Sequence, residues 1–145
     1  MSDEGVGSPV TSDEQLARFI LFSNWIRKSD QTVKQDAFIP RPYPDLDLSV
    51  TRHNNLSEQE LWRIGQRIAD ARPATLYARA DIRAAEVRRQ SLEVEPKPVA
   101  KNPNHANVIG WPADKPAQKI IAQELAAKAN FVPRPLTALQ ETDRS

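Results

Sequence analysis

Acid–base chemistry in this chain would have to fall to two histidines and an arginine: His53, which follows Arg52, and His105. Imidazole titrates near pH 6.5, so one ring can accept a proton while another donates one. Arg52 beside them would grip a phosphate or carboxylate through a two-pronged hydrogen bond. Such a set would define a small hydrolase or transferase, provided the two rings converge. Their surroundings favour a plainer role. His53 precedes Asn54 and His105 precedes Ala106, so neither shows the His-x-Ser/Thr repeat of two-histidine phosphoesterases, and histidines at strand ends commonly hydrogen-bond loops. A metal held by both histidines with Asp45 or Asp47 would leave an open position for water. No His-x-His or i, i+4 spacing supports that, so no metal and no cofactor are assigned.

A second group of residues suits recognition. Arg79, Arg83, Arg88 and Arg89 precede Lys97 and Lys101, then Asn104 and Asn107 in a polar loop, then Trp111. Arginine and asparagine contact phosphates and base edges, and an indole stacks on an unpaired base, which makes a nucleic-acid-binding module of residues 79–107 one alternative. The same region carries Asp81, Glu86, Glu93 and Glu95, so six cations stand against four carboxylates between 79 and 101. Nucleic acid asks for a net basic stripe. A protein-binding surface of Lys97, Lys101, Asn104, Asn107, Trp111, Arg79 and Arg83 asks for less, since tryptophan is favoured at hot spots and the loop 101–107 has no periodic reason to be buried. There is no Walker loop, Gly-x-Gly-x-x-Gly or Gly-x-Ser-x-Gly, and the chain has only four glycines, so a glycine cradle for nucleotides is disfavoured.

Length and composition limit the options further. With 145 residues, of which 39% are hydrophobic and 27% charged, one domain is expected. The net charge of +1 gives no general attraction to polyanions. Cysteine is absent, which removes disulfides and thiolate chemistry and suits a reducing compartment. The acidic start and the lack of any apolar run near ~18 residues lead to an expectation of a cytoplasmic protein without a membrane span.

The elements that would position these residues follow from periodicity and punctuation. Residues 1–14 combine Asp3, Glu4, Asp13 and Glu14 with glycine and proline and no cation, and are expected to form a flexible acidic arm; 15–132 form the domain and 133–145 a flexible tail. Within these ends, residues 1–11 and 137–145 are expected to be dispensable for folding. Residues 16–26 stand between a helix, for which Ser12 and Gln15 offer a capping box, and a strand, favoured by the aromatic and branched run 18–22; 38–44 with three prolines read as an extended connector, and 45–52 as a half-buried strand with Leu46, Leu48 and Val50 inward. Ser57 and Glu60 form a capping box for a helix over 57–71. Asp81 is expected to cap a shorter helix through Ile82, Ala85 and Val87, followed by strands at 92–95 and 105–111. Asp114 caps a last helix with Pro116 in its first turn. The sum is an α+β domain, a small mostly antiparallel sheet with about three helices packed on one face.

The segments Phe38-Ile39-Pro40, Leu48-Ser49-Val50, Glu60-Leu61-Trp62, Arg79-Ala80-Asp81-Ile82 and His105-Ala106-Asn107-Val108-Ile109-Gly110-Trp111-Pro112 together resemble a pattern of small uncharacterised bacterial proteins. The resemblance runs over about 18–129 and implies a bacterial source and a single domain. It implies no activity, cofactor or functional residue. The preferred reading is therefore an interaction or accessory module with a protein partner, which leans away from an enzyme without settling the question, with nucleic-acid binding and His-dependent catalysis as alternatives.

Overall fold

The computed structural model describes residues 7–135. Its centre is a six-stranded antiparallel sheet in the order β6-β7-β4-β1-β5-β8, formed by β1 (Gln15–Ile20), β4 (Leu48–Arg52), β5 (Ala78–Arg83), β6 (Glu93–Pro96), β7 (His105–Ile109) and β8 (Asn130–Pro133). A two-stranded hairpin of β2 (Ile26–Arg27) and β3 (Thr32–Val33) stands apart, turning through Gln31 at φ 58°. The helices are α1 (Glu58–Ala71), α2 (Ala84–Arg89) and α3 (Lys115–Lys128). No helix among the described residues is long and apolar enough to cross a membrane.

The expected α+β class and mostly antiparallel sheet are what the chain adopts, but the three helices divide between the two faces of the sheet. The cause lies in β1, which carries apolar side chains at both parities. Leu16 and Ile20 join Val50, Ala80, Val108, Ala122 and Leu125 in a core beneath α2 and α3, while Ala17 and Phe19 join Leu61, Ile64 and Ala69 in a second core beneath α1. A central strand buried on both sides needs cover on both sides. Helix α1 comes close because residue 65 is glycine: a Cβ there would stand 2.6 Å from a ring carbon of Phe19.

Two helix starts follow their caps. Ser57 Oγ accepts from the Glu60 amide and Glu60 returns the bond to the Ser57 amide, closing the capping box. Asp114 accepts from the Ala117 amide with Pro116 in the first turn. Asp81, in contrast, caps nothing. It lies within β5, where Ala78, Ala80 and Ile82 face the core and Arg79 and Asp81 the α1 side; α2 begins only at Ala84. Alanine's modest strand preference and aspartate's affinity for helix starts disguise this strand. A strand not expected from the sequence closes the sheet: Asn130–Pro133 forms β8 on β5, and Pro133, the first residue of the expected tail, pairs opposite Ala78 on an outer strand that can tolerate a missing donor.

The proline-rich connector is a closed loop. Residues 35–38 form a short 3-10 turn, and after Pro40 the backbones of Arg41 and Asp47 pair while Arg41 Nη2 donates to Asp47 Oδ1 at 2.9 Å. Residues 1–6 and 136–145 lie outside the described residues. From Ser8 to Glu14, however, the segment taken for a flexible arm packs on the domain, with Val10 buried in the first core.

Candidate functional site

His53 and His105 stand on the same face of the sheet. Strand β4 pairs with β7 so that Thr51 is opposite His105, and His53 follows two residues on. Their rings are nonetheless bonded in different directions. His53 Nε2 lies 3.0 Å from Asp81 Oδ1 on β5, reached diagonally across β1, whereas His105 Nδ1 lies 2.8 Å from the Lys97 carbonyl beyond β6. Arg52 alternates to the opposite face and is 1% exposed. Its Nε and Nη2 donate to Glu14, the latter at 2.8 Å, and Nη1 donates to the Ser8 carbonyl. It therefore clamps the N-terminal segment and offers nothing to a substrate.

Arg79 is equally committed. It is 2% exposed, donates through Nη1 and Nη2 to both oxygens of Glu58 at 2.9 and 2.8 Å, and through Nε to Asp81. Its guanidinium also lies 4.8 Å from the Trp62 ring. Burial opposes its charge, but the hydrogen bonds it donates to Glu58 and Asp81 outweigh that and raise its pKa further, while its bonds to Glu58 hold that carboxyl below the usual glutamate range. Glu58, Arg79, Asp81 and His53 thus form one internal chain that pins the start of α1 to β5.

The remaining recognition residues separate into buried and exposed. Asn104 donates to the carbonyls of Arg52 and Asn54, and Asn102 to Thr51 Oγ1, so the loop before β7 braces the end of β4. Trp111 is buried, its indole donating to the Val108 carbonyl. Asn107 is 9% exposed and its Oδ1 has no partner among the described residues. Lys97, Lys101 and Arg83 are exposed. Arg88 donates to Glu93, Ser12 and Val10, and Arg89 to Glu86, which leaves little of a basic stripe. No group of three or more His, Asp or Glu among the described residues is placed to hold a metal.

A different arginine remains available for recognition. Strands β1 and β4 pair only at Leu16 with Arg52 and Ala17 with Thr51. Where the pairing stops, Arg18 takes the place of the ladder: its Nε donates to the Ala37 carbonyl at 2.7 Å and its Nη1 to the Ser49 carbonyl at 3.0 Å. The guanidinium lies 5.3 Å from the Trp25 ring, which itself packs against Phe22 with centroids 4.8 Å apart. Nη2 makes no hydrogen bond, and no carboxylate pairs with Arg18, among the described residues. Burial first, and then the charge of Arg72 at the end of α1, push its pKa down to about 10.

These residues line a narrow groove of about 60 Å³ between the parted strands, the 3-10 turn at 23–25 and the C-terminal end of α1. Phe22, Trp25 and Ile68 supply its apolar wall, Arg18 and Arg72 its charge, and Thr51 and His105 polar floor. Drug-sized ligands fill about 300–1,000 Å³, so this groove suits one small head group. A trough of about 650 Å³ between the β2–β3 hairpin and α3 is larger, but it is lined by α3 alanines and by charges of both signs, Arg27, Lys34 and Asp36, and not by an apolar wall beside like charges.

Sequence reasoning passed over Arg18 because it sits inside the apolar run 16–22. The available signal was its parity: it alternates with Leu16 and Ile20, and a cation at an inward strand position needs an explanation. No family model matches the chain, and neither the curated proteins nor the solved structures compared with it give a match.

Proposed function

We propose that the chain is an interaction module that docks a protein partner at the groove between β1, β4 and the end of α1. One contrast carries this reading. The cations that bind other parts of the fold, Arg52, Arg79 and Arg88, are paired with carboxylates, whereas Arg18 and Arg72 at the groove have none among the described residues. Beside them Phe22 is 48% exposed next to the half-buried Trp25. Aromatic and arginine side chains together are the usual anchors of protein interfaces. Catalysis by the two histidines has less support, since each ring is bonded to a separate part of the scaffold. The cysteine-free composition suits a reducing compartment, and the cytoplasm is where the partner is to be sought.

The test is affinity capture from the source cell with the wild-type chain, Phe22→Ser, and Tyr43→Ser as an exposed aromatic control that does not line the groove. Partners retained by the wild type and by Tyr43→Ser but lost with Phe22→Ser support the reading. Equal retention by all three would remove the groove from consideration.

A further inference from the structure

We propose that the occupant of the groove is the side-chain carboxylate of an acidic residue in an extended partner segment, held between Arg18 and Arg72, with an apolar neighbour lying on Phe22 and Trp25. The proposal rests on the docking reading above and adds the chemistry of what docks.

Arg18 is set in place before any ligand arrives. Its Nε and Nη1 are fixed by the carbonyls of Ala37 and Ser49, which holds the guanidinium plane and leaves Nη2 to donate. A partly buried cation without a counter-ion is unfavourable. The Trp25 face relieves part of that cost, and Arg72, near enough to act on it electrostatically, adds to it. One carboxylate between the two guanidiniums would relieve both effects, through hydrogen bonds to charged donors that are among the stronger ones in proteins.

Size and surroundings select the ligand. The groove holds about 60 Å³, which admits a planar carboxylate but not a nucleotide. A polyanion needs several phosphate contacts in a row, and further across the same face the exposed Glu95 lies beyond Asn107 and Ser49. The exposed Phe22 next to the charge calls for an apolar residue beside the acid rather than a free small carboxylate. Acidic and apolar residues in one extended segment satisfy both walls.

The experiment titrates the full-length protein by amide and arginine side-chain NMR with N-acetyl-Leu-Glu-Leu-amide, and in parallel with its neutral analogue N-acetyl-Leu-Gln-Leu-amide, inorganic phosphate and a single-stranded oligonucleotide. The glutamate peptide is expected to shift Arg18 Nε–H and the amides of residues 17–22 and 68–72, and to bind about tenfold or more tightly than the glutamine peptide. Arg72→Glu, an exposed substitution that leaves the core alone, should remove that preference, and Arg18→Lys, checked for native spectral dispersion, should reduce it. Equal binding of the two peptides, shifts confined to other surfaces, tighter binding of phosphate or oligonucleotide, or no shift up to about 20 mM peptide would each overturn the proposal. If Phe22→Ser abolishes partner capture while the two peptides bind alike, only the carboxylate assignment fails. If capture survives Phe22→Ser while the glutamate peptide still binds selectively at the groove, the docking reading fails instead.

Discussion

The carboxylate of Glu14 receives two hydrogen bonds from the buried guanidinium of Arg52, and so ties the segment before β1 to the end of β4. Arg52 also holds the Ser8 carbonyl, and Arg88 holds the carbonyl of Val10. The N-terminal residues from Ser8 onward are therefore part of the domain.

Glu14→Gln should lower stability by about 3 kcal/mol, because it leaves a buried arginine short of its counter-charge. Deleting residues 1–11 should lower the thermal midpoint by about 5–10 °C through loss of Val10 and the Ser8 carbonyl. Chemical and thermal unfolding read both effects. An unchanged midpoint would restore the view of this segment as a free arm.

Gly65→Ala should destabilise the protein by about 1–2 kcal/mol, although alanine is the better helix former by ~1 kcal/mol. The added methyl would meet the ring of Phe19, itself packed in the second core. Unfolding in urea measures the change. A stabilising result would mean that α1 can lift off the sheet without cost.

Acid should loosen the start of α1 before it loosens the cores. The folded-state pKa of Glu58 is depressed by the hydrogen bonds from Arg79, so its contribution is fully present above the unfolded value near ~4.3 and is lost as pH falls through the lower folded value. Glu58 is largely exposed, so solvent screening keeps the effect to about 1 kcal/mol or less. Stability measured between pH 5 and about pH 3 should fall less steeply for Glu58→Gln than for the wild type.

Local signals made much of this fold legible. Ser57 and Asp114 mark α1 and α3 because caps are local hydrogen bonds, and β4 and β7 show in their alternation. Strand β5 was hidden because Ala78 and Ala80 give a weak strand signal, and β8 because Pro133 reads as a break until the outer edge of β5 is known. The site was less legible for a related reason. Arg52, Arg79 and Asn104 have the residue types of a binding surface, and only their tertiary partners reveal that they brace the fold. Arg18 becomes informative only where β1 and β4 part and two distant carbonyls reach its guanidinium.

The central claim is tested most directly by site-specific photo-crosslinking in the source cell, with benzoylphenylalanine replacing either Phe22 at the groove or Ile120, an exposed apolar residue of α3 that does not line the groove. The account predicts a discrete crosslinked partner from position 22 that disappears when Arg72→Glu is added, and none from position 120. Crosslinking from position 120 alone, or a product from position 22 indifferent to Arg72→Glu, would contradict it.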